Sequence, residues 1–385
     1  MRKILAALMI PVVILLGIGI VLLASAGEVR AQEVYHASHQ FIKNQAIWLL
    51  VSLAAFYLAA FKFDYERWKK TPLLPLLLYI GVALLLMAVF VPGLGTKAKG
   101  SYRWLCLAGF RLGQPSELAK VAIVICMSFW LDHVGPRIRN WIPGLVIPTL
   151  LLGLFVGLLV LEPDFGATLV VGVLGGSLMF IAGCRILHLG VLGFGGLAAV
   201  VPLILMNRNR MARLGAFFGS EGGEHSEARY QLQQSLYSFQ NGGPWGVGYT
   251  QSIQKYQYLP EAHTDFIFAI GGEEFGIIFS LSVILLFIIF LLAGFMVAFR
   301  AKDRFGRYLA FGMTLLLVFQ ALFNIGVVSG CFPTKGIALP FISYGGTNLV
   351  VAMFAVGVIF NVGKKAEQFE GSFREKLARN IPLEI

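Results

Sequence analysis

The sequence predicts an all-α polytopic membrane protein with about ten transmembrane helices and one large extracytoplasmic loop. Three observations carry that prediction. The 385 residues are 57% hydrophobic and 13% charged, with a mean hydropathy of +0.77, which is more apolar material than one soluble core can bury. The apolar residues come in long blocks rather than amphipathic stripes. Lysine and arginine gather at alternate ends of those blocks.

A helix needs about 20 apolar residues to cross the hydrocarbon layer. On that length, spans are expected near residues 4–26, 44–61, 73–92, 117–134, 142–161, 166–184, 187–206, 275–299, 308–331 and 341–362. The first follows Arg2 and Lys3 and ends near "ASAG" (24–27), as in a signal peptide. Its apolar run exceeds the ~7 to 15 residues of that class, so an uncleaved anchor is expected. No repeat, low-complexity tract or Gly/Ser linker divides the chain. Residues 1–363 are therefore expected to form one membrane domain with a loop at about 207–264, followed by a short polar tail, 364–385.

Under this count Arg2, Lys3, Lys62, Arg67, Lys69, Lys70, Arg137, Arg139, Arg185, Arg300, Lys302, Arg304, Arg307, Lys364 and Lys365 share one side. That excess marks the cytoplasm and puts both termini there. It accounts for most of the net charge of +11. No basic helix interleaved with stacking aromatics is present, so nucleic acid is not an expected partner.

One expected outer loop, 93–116, breaks the rule by carrying Lys97, Lys99, Arg103 and Arg111, with Lys120 just inside the next span. Either an anionic partner lies outside, or "SYRWLCLAGFRL" rests in the interface with Trp104 in the aromatic belt and its arginines snorkelling. Lys120 follows Glu117 by three residues, so the two can pair on one helix face directed to the interior or a polar cavity. In the next outer turn, "EPDFGATL", Asp164 either caps the helix starting at Phe165 or joins Glu162 in an outward polar cavity.

In the long loop, Arg208, Arg210 and Arg213 fit one face of a short helix, "EARYQLQQSLYSFQ" fits another, and "NGGPWGVGY" supplies turns. A structureless loop of this length is uncommon in a compact domain, so it is expected to fold over the membrane surface and contribute to a site. It leads into "PEAHTDFIFAIGGEEFG" (260–276), where Glu261, His263, Asp265, Glu273 and Glu274 gather beside Phe and Ile. An unbroken helix from Phe266 to Phe299 would run about 50 Å against a hydrocarbon layer of ~30 Å, so a break is expected at Gly271–Gly272.

Asp265 then either caps the short helix or, partly desolvated among carboxylates, acts as a general base. His263 offers a further polar contact, and Glu261 with Glu273 or Glu274 can hold a divalent cation, although carboxylates alone name no metal. No Ser/His/Asp order, phosphate-binding P-loop or His/Cys cluster is present. Cys106, Cys126, Cys184 and Cys331 lack CxxC spacing and read as packing residues, with an outer Cys106–Cys331 pairing left open. In "LPFISYGGTNLV" (339–350), Ser343 either lines the outer cavity or belongs to a small-residue helix contact.

"GGPWGVGYTQSIQKYQYLPEAHTDFIFAIGGEEFG" (242–276) and "PTKGIALPFISYGGTNLV" (333–350), with "RWLCLAGFRLGQPSELAK" (103–120) and "EPDFGATL" (162–169), resemble the SEDS family of bacterial cell-wall polymerases. The resemblance runs from the second span to the tenth, and "PTKG" and "LPEAHTDF" are closer to the family's cell-division branch than to its elongation branch. Two positions depart from the pattern: Arg111 lies one residue further from "QPSELAK", and Glu162 stands where the family has Gln.

The resemblance implies a peptidoglycan glycosyltransferase of the bacterial cytoplasmic membrane, placed at the division septum. It would polymerise lipid II at the outer face, release undecaprenyl pyrophosphate, and act with a class B penicillin-binding protein and other division membrane proteins. Asp265 matches the family's essential aspartate, the base for an inverting transfer. Lys120 with Arg103 or Arg111 would meet the pyrophosphate. Glu117, Glu261, His263 and Ser343 complete the expected substrate site. A lipid II flippase is the alternative that the intramembrane charges equally allow.

Overall fold

The computed structural model describes residues 1–36, 39–62, 64–98, 101–107, 110–206, 208–218 and 227–380. Helix α1 (Arg2–Tyr35) is followed by α2 (Gln40–Tyr57), which a π-helical turn extends to Lys62, then α3 (Tyr65–Lys70) and α4 (Leu73–Ala88). Three strands, β1 (Gly95–Ala98), β2 (Ser101–Leu107) and β3 (Phe110–Gly113), precede α5 (Pro115–Val134). Next come α6 (Ile147–Leu161), α7 (Phe165–Ile181) and α8 (Ile186–Leu205), and then α9 (Arg208–Phe218) and α10 (Glu227–Gly242). The chain finishes with α11 (Ile267–Phe299), α12 (Arg304–Val328) and α13 (Gly346–Asn380).

Every expected span falls on one of these helices. Among the described residues seven helices are long and apolar enough to cross a membrane, and Leu73–Ala88, Phe165–Ile181 and Ile186–Pro202 are shorter apolar helices. Helices α5, α12 and α13 form the buried centre, while α1 shows the outer arrangement. Its Leu8, Val12 and Leu15 are inside, whereas Ile10, Val13 and Ile14 face outward. Lipid offers no hydrophobic drive for helix association, so close contact must come from small residues. A Cβ at Gly357 of α13 would stand 2.7 Å from Ala59 Cβ, and α13 lies along α2 there.

At one end of the bundle, ion pairs draw together the loops expected on the cytoplasmic side. Lys69 Nζ reaches Asp132 at 3.4 Å and Asp303 at 3.6 Å, Lys365 reaches Asp64 at 3.4 Å, and Arg2 reaches Glu367 at 2.8 Å. Helix α13 runs through residue 364 without interruption.

Three features refine or correct the expectations. First, residues 95–98, 101–107 and 110–113 form an antiparallel sheet in the order β1-β2-β3, with Thr96 opposite Trp104 and Cys106 opposite Arg111. Backbone groups that would meet neither helix partners nor water in an interface are satisfied by this ladder. Second, α11 breaks at Gly276 (φ 80, ψ −174) instead of at Gly271–Gly272. Loop backbone decides the position: Val247 N–H donates to Glu273 O at 3.0 Å and Ile277 N–H to Gly243 O at 2.9 Å. Gly276 suits both its positive φ and the close approach of Pro244 O, which a Cβ would strike. Gly271 and Gly272 stay helical, with Phe239 packed against Gly272. Third, all four cysteines are free thiols, so Cys106 and Cys331 form no disulfide.

Candidate active site

The end opposite the ion-paired loops is built from the sheet, the start of α5, the α6–α7 turn, α9, the loop before α11 and the loop after α12. Asp265 lies just ahead of α11, whose N-cap is Phe266 and has no side-chain capping bond. The residue at the cap position is Phe266, and the Asp265 carboxylate stands one residue before it. It points at the loop after α12, where a Cβ on Gly336 would stand 2.8 Å from Asp265 Oδ2. A larger residue there would make the carboxylate shift.

Hydrogen bonds fix the two segments to each other. Asn324 Nδ2 of α12 donates to Asp265 O and to Ile337 O, each at 2.7 Å. Ser343 Oγ donates to Thr264 O at 2.6 Å and accepts from Leu339 N–H at 2.8 Å, and Tyr344 N–H donates to His263 O at 3.2 Å. Ser343 is therefore a buried brace rather than a cavity wall. The His263 ring packs on Phe41 with centroids 4.8 Å apart. Glu261 Oε2 accepts from Thr264 Oγ1 at 2.9 Å.

Cations gather on the Asp265 side of the site: the charge of Arg213 interacts with Asp265, and Arg103 and Lys335 each interact with Arg213. Burial pushes the Arg213 guanidinium below its ordinary value, the charge of Arg103 acts the same way, and Asp265 with Glu227 pull it back. Arg213 is exposed by area while still enclosed by protein at longer range. The Lys335 ammonium is likewise lowered, first by burial and then by Arg213, with Asp164 opposing. Cations short of compensating charge in a partly desolvated place favour an anionic ligand.

The α6–α7 turn supplies acid. Asp164 takes the capping alternative: Oδ1 caps α7 by accepting from Ala167 N–H at 3.1 Å, while Oδ2 accepts from Ser116 Oγ at 3.0 Å and Gln114 Nε2 at 3.1 Å. Arg103 Nη2 donates to Pro163 O at 2.6 Å. Glu162 is fully buried, and neither carboxylate oxygen has a hydrogen-bond partner. Burial, reinforced by Asp164 and partly offset by Arg103, raises its pKa from 4.5 to about 8. At neutral pH it carries a proton.

Lys120 Nζ meets Glu117 Oε1 at 2.7 Å, with 3% of the lysine side chain exposed, as their spacing predicts. Arg111 lies on β3, and its side chain, like those of Lys97, Arg208 and Arg210, falls outside the described residues, as does the whole of Lys99. Glu273 and Glu274 are committed elsewhere. Glu273 accepts from Ser252, Ile253 N–H and Gln254 N–H, and Glu274 from Ser25 and Lys255, so the carboxylates expected to join Glu261 around a cation instead tie the long loop to α1 and α11. Sequence reasoning missed Lys335, Gly336 and Asn324 as parts of the site, and noted Arg213 only as a helix-face residue. Their signals were "PTKG" and the arginine spacing of α9.

Fold and site define a polytopic helical membrane protein with an acid-and-cation centre at one end of its bundle. The family described as cell cycle protein, FtsW/RodA/SpoVE, matches residues 6–368, and the chain belongs to that family. It is 39% identical over 355 residues to a protein of Trichlorobacter lovleyi named "Probable peptidoglycan glycosyltransferase FtsW", covering 92% of each chain. A protein of the same name from Geobacter sp. (strain M18) is 38% identical over 353 residues, covering 92% of this chain and 95% of the other. The fold is similar to a chain of a peptidoglycan synthase complex, with TM-score 0.75, 26% identity, and 94% and 98% of the two chains covered. It is also similar to the rod shape determining protein RodA of Thermus thermophilus, with TM-score 0.69, 25% identity, and 93% and 96% covered.

Proposed function

We propose that Asp265 is the general base with which this chain, a peptidoglycan glycosyltransferase, polymerises lipid II at the outer face of the cytoplasmic membrane during cell division. The observation that carries this reading is the Asp265 carboxylate itself, set against Gly336 one residue before the α11 N-cap, with the charge of Arg213 interacting with it and Arg103 and Lys335 interacting in turn with Arg213.

In the reaction, Asp265 takes the proton of the acceptor sugar's 4-hydroxyl as that oxygen attacks the anomeric carbon of the donor. The donor's bond to pyrophosphate breaks on the opposite face, so configuration inverts and undecaprenyl pyrophosphate leaves. Lys335, Arg213 and Arg103 oppose the charge that grows on the leaving group, where partial exclusion of water strengthens their effect. Arg111 on β3 and Lys120, one helical turn below Ser116 with Glu117 as counter-ion, add to that positive field. Glu261, His263 and Ser343 act by fixing the backbone on which Asp265 sits. The lysine and arginine distribution supports both termini being cytoplasmic. A class B penicillin-binding protein is the partner that crosslinks the product.

Asp265→Asn tests the base. Purified protein with lipid II and a transglycosylase-silent penicillin-binding partner is expected to lose about 10² to 10⁴ in polymerisation rate with its unfolding temperature unchanged. Normal polymer from the stable variant would end the assignment. Activity seen only across a sealed bilayer would favour transport of lipid II.

A further inference from the structure

The end of the bundle far from Asp265 holds a recess that the reaction does not use. It is an open cavity of about 360 Å³ between α1, the π-helical turn ending α2, and α13. Its floor is apolar, formed by Leu5 and Met9 of α1 and Phe360 of α13. Its rim is basic. Arg2 Nε meets Glu367 Oε1 at 2.8 Å while 92% of the Arg2 side chain stays exposed, leaving the other guanidinium N–H groups outside that contact. Lys364 Nζ lies 4.8 Å from the centre of the Phe61 ring, and among the described residues no carboxylate is within salt-bridge distance of it. Lys3 and Lys62 adjoin the rim in sequence, against Glu367 within it and Glu370 a turn beyond.

We propose that this recess binds one anionic glycerophospholipid of the surrounding bilayer, its phosphate between Arg2 and Lys364 and an acyl chain along Leu5, Met9 and Phe360. Both halves of the site match an amphiphile. The apolar floor belongs to helices long enough to cross a membrane and lies next to the cations, as headgroup and hydrocarbon lie next to each other in a lipid. A soluble phosphate would satisfy the rim and leave the floor wet. A zwitterionic lipid would bring its own ammonium to an already positive rim. Lys364 over Phe61 is a cation held in place with no carboxylate partner among the described residues, and a headgroup phosphate supplies one.

The full chain, exchanged into nanodiscs of equal phosphatidylglycerol and phosphatidylcholine and then released, can be weighed by native mass spectrometry to count retained lipid. The wild type is expected to keep phosphatidylglycerol in preference. Arg2→Gln with Lys364→Gln is expected to reduce that preference on the order of 30-fold, as two surface cations would. Met9→Trp, which fills the floor and leaves the charges alone, is expected to lose the lipid as well. Lys70→Gln, a cation on the same end outside the recess, should change nothing. Equal retention of the two lipids, an equal loss in Lys70→Gln, full retention in Met9→Trp, or displacement by millimolar inorganic phosphate would each overturn the proposal. Should the double variant fail to fold, Lys364→Gln alone is expected to show roughly a fivefold loss.

Discussion

At the end bearing Arg2 and Glu367, the charged groups are long side chains at the surface. Lys302 meets Glu66 at 3.4 Å with 39% and 20% of the two side chains exposed. At the end bearing Asp265 the pairs lie inside: Lys255 meets Glu274 at 3.3 Å with 3% and 0% exposed, and Lys120 meets Glu117 at 2.7 Å with 3% and 14% exposed. Surface pairs of the first kind contribute little to stability, because water already solvates both partners. Buried pairs carry a desolvation cost that the partner only partly returns. Charge at one end is thus solvated and loosely held, while at the other it is locked into the packing.

The comparison can be broken most forcefully at Lys255. Lys255→Met leaves Glu274 buried without its cation and is expected to cost about 3 to 5 kcal/mol in thermal unfolding, with Lys255→Met/Glu274→Leu regaining most of it. A single variant as stable as the wild type would make the two ends energetically alike. Gly336→Ala sharpens it next. The added methyl would stand 2.8 Å from Asp265 Oδ2, so the carboxylate must move, and polymerisation should fall roughly 10- to 100-fold with little change in unfolding temperature. Undiminished turnover would separate Asp265's position from its role.

Glu162 gives a smaller effect with a defined sign. Its folded pKa, about 8, lies above the ordinary 4.5, so between those values the folded chain keeps a proton that the unfolded chain has released. Its contribution to stability is therefore present at low pH and declines as pH rises through that window. Glu162→Gln should remove the decline and stabilise the protein at neutral pH by about 1 to 3 kcal/mol. It should also retain polymerisation above pH 8, where the wild type would place a new negative charge beside Asp164. Parallel pH profiles of variant and wild type would refute this. The least effect is expected from Lys302→Gln, under about 1 kcal/mol and none on turnover, measured by the same unfolding assay.

Much of the helical layout was legible because a membrane helix writes its length into an apolar run. The α10 pattern and the Asp164 cap could be read for a similar reason, since both are local. The sheet of β1, β2 and β3 was harder. Tyr102, Trp104 and Cys106 do alternate with Arg103 and Leu105, but the run is short and equally suits an interfacial segment. The break at Gly276 depended on a loop some thirty residues earlier donating and accepting at that point, which no local glycine pattern reveals. Asp265 stood out as a carboxylate at an apolar boundary. Its neighbours Gly336 and Lys335 come from about seventy residues later, and Arg213 from about fifty earlier, so only the packed loops bring them together.

Asn324 has a mechanical meaning. Its one carboxamide nitrogen holds the carbonyls of Asp265 and Ile337 at the same time, so a tilt of α12 would carry Asp265 and the Lys335–Gly336 loop together. Movement between that unit and the facing sheet, α6–α7 turn and α9 would then leave the close approach of Asp265 to Gly336 unchanged.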